Sequence, residues 1–371
     1  MLIYVIIFFI VTLLCVYIGK IDETKKKQKY IISILIILIL SALGGLRTTN
    51  IGTDVEVYGI RWLKYSHNYG DFIGYTKAFP AGEKGYLLLN YVLAFFTDNI
   101  NIFLFIHQLI CVSLVYVTLY RYKEKVPLWL SMLAFLTLYY CRTYNYLRQS
   151  IALSIIFWGF RYVEEKKPIK YLLTVFLAAQ FHVTAYFGIC IYIIYALLTS
   201  KIKRKDLLMG IIIIATILLA LNIMNIMKIL YNLNLLSYKI YYNYTVKYVN
   251  SELGFSTIET ALKRMFIAIY LINFKKINQK EIMNNSLGIF MIMDIILFQI
   301  RNKISYADRL SLYLGYPTIL LLPQIPTSYE KESNKKLMYA ILIGLLISFW
   351  IFKFVFENSG EVYPYSSIIF K

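Results

Sequence analysis

The stretch IISILIILILSALGGLRTTNIGTD, residues 31–54, decides the fold. From Ile31 to Leu46 it carries no charge, which is the pattern of a membrane span rather than of a water-facing helix. It then turns polar at Arg47-Thr48-Thr49-Asn50-Ile51-Gly52-Thr53-Asp54 and stays so through Tyr58, Trp62, His67 and Pro80 to Glu83. Water-soluble chemistry is therefore expected at a membrane face, in a loop that the hydrophobic remainder holds in place.

The whole chain agrees with that reading. Of its 371 residues 59% are hydrophobic and 16% charged, with a mean hydropathy of +0.62. Soluble domains are nearer 45–50% apolar and about 25% charged, so a soluble fold would leave large apolar areas wet. The net charge of +19 invites a nucleic-acid reading, but the basic residues come as short clusters between apolar runs. That is the positive-inside pattern of a polytopic membrane protein, and it excludes a basic nucleic-acid interface.

Twelve apolar runs are legible, from Leu2 to Ile18 through to Leu337 to Phe356, giving an all-α chain of about twelve transmembrane helices in a single domain, 1–371. The first run lacks a basic flank before it and a cleavage site after it, and reads as a span rather than a signal peptide. Alternate loops at Lys20–Lys29, Arg121–Lys125, Arg161–Lys170, Lys201–Lys205, Lys275–Lys280 and Lys331–Lys336 hold more than half of the 39 basic residues. These face the cytoplasm by the positive-inside rule. Both termini, the 47–85 loop and a second, Tyr- and Asn-rich segment at 228–259 are then expected outside.

Three places depart from plain spanning helix. The apolar run from Gly85 to Thr97 is too short to cross and predicts an interfacial or re-entrant helix. The run from Tyr171 to Leu198 has cytoplasmic-type charge on both sides and predicts a hairpin near Gln180-Phe181-His182. Tyr139 to Arg148 is a polar, aromatic break between two short spans. Irregular backbone at membrane depth is tolerated only beside protein or a watery cavity, so short broken helices around an outward-facing cavity are expected.

Ionisable groups near membrane depth are expensive and mark candidate sites. On the outer side they are Arg47, Asp54, Glu83, Arg142, Arg148, His182, Asp294, Arg301, Asp308 and Arg309. Arginine presents a planar five-donor fork that suits phosphate and keeps its charge, so several converging would clamp a pyrophosphate. Each also has a plain structural reading: Arg47 snorkelling from a helix end, Glu83 as a helix-start charge, Asp54 and Glu56 as solvated loop carboxylates, Asp294 as half of a buried pair. His182 interrupts an apolar run as a proton acceptor or phosphate donor. His107 reads as packing and His67 as a surface residue. The four cysteines, Cys15, Cys111, Cys141 and Cys190, form neither a CxxC pair nor a zinc spacing and read as small core residues. No Gly-rich phosphate loop is present.

Taken together, Arg47, Asn50, Gly52, Asp54 and Tyr58, then Glu83 with Gly85-Tyr86, Leu147-Arg148-Gln149 entering a span, and Phe181-His182 in a polar hairpin resemble the EpsG branch of Wzy-type polysaccharide polymerases. Order, spacing and side of the membrane carry the likeness through the first half; Arg309 opening a short span is the main match in the second. The resemblance implies a GT-C-like fold and a metal- and cofactor-independent, inverting glycosyltransferase of the bacterial cytoplasmic membrane. Its partners would be membrane lipid and a polyprenyl-diphosphate-linked oligosaccharide, with a chain-length regulator left open. On this reading Arg47, Arg148 and Arg309, with Arg142 as a fourth, bind the diphosphate. Asp54 or His182 is the base, Glu83 orients a sugar or an arginine, and Tyr58 and Asn50 contact substrate. A flippase of the same lipid-linked repeat and a glycan ligase are the competing expectations.

Overall fold

Each of the twelve apolar runs carries helix in the computed structural model, which describes residues 1–80, 82–201, 204–233, 241–242, 257–278, 283–302 and 307–369. No strand occurs among the described residues; the one extended contact is an isolated bridge between Arg47 and Ser367. Most of the expected segment at 228–259 lies outside the described residues.

The chain divides into two units, Met1–Tyr186 with Leu322–Lys371, and Phe187–Leu321. The first unit begins with α1 (Leu2–Lys20) and α2 (Lys26–Gly45), followed by three short helices, α3 (Arg61–Ser66), α4 (Phe72–Ala78) and α5 (Lys84–Ala94). Then come α6 (Ile100–Arg121), α7 (Leu128–Leu138), α8 (Leu147–Glu164) and α9 (Pro168–Ala179), and the unit is completed by the C-terminal helix Glu332–Trp350. The pairs α2–α6, α6–α8, α8–α9, α1–α7 and α7 with the C-terminal helix pack together.

Among the described residues, α1, α2, α6 and Glu332–Phe356 are long and apolar enough to cross a membrane. A fifth candidate is the pair Leu207–Leu221 and Ile223–Asn232, bent by 69°. The other runs form shorter helices, and 3₁₀ turns at Tyr140–Tyr144, Val183–Gly188 and Tyr316–Leu320 interrupt three of them. α7, with 11 residues, rises only about 16 Å at 1.5 Å per residue. Two of these interruptions fall where the sequence predicted them, at Tyr139–Arg148 and after Gln180. The predicted short helix after Glu83 is α5. Large apolar side chains such as Phe9, Leu13, Leu173 and Phe176 are exposed on α1 and α9, as a lipid-facing surface requires.

Charge separates the first unit into two ends. At one, the loops after α1, α6 and α8 tie together through Lys29 and Lys123 on Glu23, Arg121 on Glu165 at 2.8 Å and Lys125 on Glu164 at 2.6 Å. At the other, the start of α1, the loop after α2 and the C-terminal tail meet. There the Tyr4 hydroxyl donates to the Val362 carbonyl at 3.0 Å, the Thr48 amide to Ser366 O at 3.0 Å and the Ile368 amide to Leu46 O at 3.0 Å.

Candidate active site

The loop after α2 is built around a buried guanidinium. Arg47 is 0% exposed. Its Nε donates to Ile51 O and its Nη2 to Tyr144 O, both at 3.3 Å, its Nη1 donates to Gly44 O, and its Cζ lies 4.3 Å from the centre of the Tyr144 ring. Its own carbonyl accepts from Asn101 Nδ2 at 2.7 Å. Gly52 closes the turn at φ +96°, a left-handed conformation that favours glycine. A Cβ there would stand 2.2 Å from Tyr144 O, so the loop needs glycine for space as well. Asn145, in the same polar break as Tyr144, fixes the far side: its Oδ1 accepts from Thr53 Oγ1 and, at 3.2 Å, from the Asp54 amide. Arg47 therefore shapes the loop, with each of its three nitrogens donating to a carbonyl.

Asp54 immediately precedes a π-helical turn, Val55–Ile60, that leads into α3. This turn presents Tyr58, and α3 presents Trp62, with ring centres 5.2 Å apart in an edge contact. Arg148, in the first turn of α8, lies over both: its Cζ is 3.8 Å from the Tyr58 centroid and 5.6 Å from that of Trp62. Its Nη1 donates to Glu83 Oε2 at 2.6 Å. The two side chains are only 13% and 12% exposed. Arg148 Nε is buried without an acceptor, so the fork is incompletely satisfied. Cation–π stacking restrains the guanidinium plane while leaving donor capacity unused.

Glu83 links this arginine to the break after α9. Its Oε1 accepts from the Val183 amide at 3.3 Å. The Gly85 and Tyr86 amides at the start of α5 both donate to Gln180 O, at 2.8 and 3.1 Å. That approach depends on Gly85, whose added Cβ would lie 2.7 Å from Gln180 Cβ. His182 is buried beside it, with Nδ1 2.6 Å from Thr184 Oγ1 and the Thr184 amide at 3.4 Å aimed at the same nitrogen. With Nδ1 accepting, the neutral ring carries its proton on Nε2. Asp54 and Arg148 both lie within electrostatic range of Tyr86, whose hydroxyl donates to Tyr58 O at 3.2 Å.

The structure thus brings Tyr58, Glu83 and Arg148 into contact and His182 alongside them. Asp54 starts the helical turn that carries Tyr58. Asn50 is exposed in the loop turn. Half-buried Arg142 donates through Nε to Leu138 O at 3.2 Å. Arg309 is on the helix Ala307–Gly315 of the second unit, described by itself. There Asp294 pairs with Lys263 at 3.0 Å, and Arg301 is buried against the Phe298 ring at 4.1 Å. His107 is core, 2.8 Å from Leu147 O, and His67 meets Asp98 at 2.6 Å near the surface. All four cysteines are free. Among the described residues no cluster of three His, Cys, Asp or Glu side chains is placed to hold a metal.

Sequence reasoning passed over Tyr144, Asn145 and the Val183 amide. The sequence signal for Asn145 is its position inside the polar Tyr139–Arg148 break. Backbone donors give no sequence signal.

In this helical membrane protein a largely buried arginine stacks on aromatic rings and pairs with a carboxylate between two broken helices. The sequence matches the EpsG family over residues 30–367, nearly the whole chain, and the protein belongs to that family. The family places it among membrane proteins of polysaccharide biosynthesis. No curated protein and no solved structure matches it.

Proposed function

We propose that this protein is a polysaccharide polymerase that joins polyprenyl-diphosphate-linked oligosaccharide repeats at the outer face of the bacterial cytoplasmic membrane. The observation that carries the reading is Arg148: 13% exposed, stacked on Tyr58, paired with Glu83 and left with its Nε donor unfilled. A guanidinium held this way is ready to exchange part of its pairing for diphosphate oxygens as they gain charge.

In the proposed reaction, a hydroxyl on the incoming repeat attacks the anomeric carbon of the growing chain. The new glycosidic C–O bond forms as the C–O bond to the lipid diphosphate breaks, and the diphosphate departs with that electron pair. Displacement from the opposite face inverts the anomeric configuration. The hydroxyl proton goes to Asp54 or His182; such general-base help is worth about 10² to 10⁴-fold. Arg148 stabilises the departing diphosphate, an electrostatic effect of about 10² to 10³-fold per donor, and Glu83 orients Arg148. Arg309 and Arg142 are proposed as further phosphate contacts, and Tyr58 and Asn50 as sugar contacts. Arg47 is assigned to holding the loop rather than to the diphosphate, because it is fully buried and each of its three nitrogens already serves a carbonyl. The proposed setting is an outward-facing cavity of GT-C type.

The test is the lipid-linked glycan profile of the host lacking this chain, resolved by repeat number and leaflet. Single repeats accumulating on the outer leaflet are expected. Accumulation on the inner leaflet would overturn the polymerase reading in favour of a flippase. In a complemented strain, Asp54→Asn and His182→Gln tested separately identify the base, and full activity in both variants would remove both residues from that role.

A further inference from the structure

At the basic end of the first unit, remote from Arg148, the ends of α1 and α6 and the starts of α2 and α7 enclose a cavity of about 360 Å³. Lys29, in the first turn of α2, lines it and is 3% exposed. An ammonium carries three N–H donors, and the one partner Lys29 has among the described residues is the Glu23 carboxylate. The same oxygen, Glu23 Oε1, also receives Lys123 Nζ at 3.0 Å. One carboxylate oxygen, on a side chain 70% exposed, therefore holds two ammonium groups while two donors of the buried one go unused. Burying a charge on such terms is costly, and a carboxylate this exposed is a weak return.

The surroundings favour an anion further. Lys20 also lines the cavity and makes no ion pair among the described residues. α2 starts without a side-chain cap or an acidic residue in its first turn, and so does α7, which leaves two positive helix ends facing the same space. Glu124, which meets Lys123 Nζ at 3.2 Å on a side chain 78% exposed, also lines the cavity, and Val16, Leu128 and Trp129 supply an apolar part of the wall. A free phosphate would not use that wall and would fill little of a volume in the range of pockets for larger ligands.

We propose that this cavity binds the phosphate headgroup of an anionic phospholipid, with Lys29 and Lys123 as its ligands and Glu23 as the carboxylate it displaces. A phosphodiester offers two oxygens where Glu23 offers one to both lysines, and its glycerol and upper acyl carbons lie along Val16, Leu128 and Trp129. None of these residues belongs to the Arg148 site, so the proposal stands or falls apart from the polymerase reading.

The experiment uses the full chain in phosphatidylcholine nanodiscs with and without phosphatidylglycerol, followed by native mass spectrometry of retained lipid and by thermal melting. Wild-type protein is expected to retain phosphatidylglycerol in preference to phosphatidylcholine and to melt higher in its presence. Lys29→Gln and Lys123→Gln each lower that retention about tenfold, the worth of one charge-assisted hydrogen bond. Glu23→Gln, which removes the competing carboxylate, raises it, and Lys77→Gln at the other end leaves it unchanged. If Lys29→Gln does not fold, Lys123→Gln and Glu23→Gln decide, since those side chains are respectively 19% and 70% exposed. Wild-type retention in the lysine variants would overturn the site. A melting shift reproduced by inorganic phosphate alone would overturn the lipid as its ligand.

Discussion

Arg148 and Glu83 meet at 2.6 Å with little of either side chain exposed, so their energetics separate structure from function at the level of single side chains. Removing one partner of a buried pair strands the other charge and costs about 3–5 kcal/mol, whereas replacing both with apolar groups is often neutral or stabilising. Glu83→Ala is therefore expected to lower the melting midpoint sharply in detergent, and the double variant Arg148→Met, Glu83→Leu to recover it. The recovered protein should still make no polymer in the complemented deletion strain, because the proposed diphosphate contact goes with the pair. A folded double variant that polymerises normally would reduce Arg148 to a packing role. Arg148→Lys keeps the charge but loses the planar fork that lies on Tyr58, and about a tenfold or greater loss of polymer is expected with the fold intact.

The elements that place this pair were legible in the sequence to different degrees, for physical reasons. Breaks in apolar runs announce themselves, because polar residues such as Arg142, Asn145, Gln180 and His182 are costly inside a span, and the helices do stop there. The number of full crossings was not legible, since hydropathy marks where apolar chain lies and not where a 3₁₀ turn cuts it. Nor was the task of Arg47. Its partners come from Tyr144, 97 residues on, and its loop is pinned by a tail whose Ser366 hydroxyl bonds Thr48, 318 residues away. No local pattern records such contacts. Gly52 tests the loop as an element: alanine there adopts a left-handed backbone and meets Tyr144 O, a strain of about 1–3 kcal/mol before any clash is relieved. Gly52→Ala is expected to lower the melting midpoint and to lose polymer while leaving the Arg148–Glu83 pair chemically intact. Asn50→Ala, two residues away and exposed, should leave stability within about 0.5 kcal/mol, so that any loss of polymer from it reports contact with sugar.

For the molecule as a whole, the two ends of the first unit differ in charge in the way that sets membrane orientation. Lys29, Arg121, Lys123 and Lys125 cluster at one end with their carboxylate partners, and the loop carrying Asn50 lies at the other with the C-terminal tail. Short basic loops resist translocation, so the first end is expected in the cytoplasm and the second outside, where the proposed polymerase would meet exported repeats. Single cysteines at exposed Thr24 and Asn50 sample the two ends. The native background is favourable because Cys15, Cys111 and Cys141 are buried; only Cys190 is half-buried, and Cys190→Ser removes it. A membrane-impermeant thiol reagent applied to intact cells is expected to label Asn50→Cys and to leave Thr24→Cys unmodified until the membrane is permeabilised. The opposite pattern would put Arg148 and Glu83 on the cytoplasmic side, where the lipid-linked repeat has not yet been exported. Their pairing would then have to serve loading of the lipid before transport, and joining of exported repeats would be excluded however well the side chains suit a diphosphate.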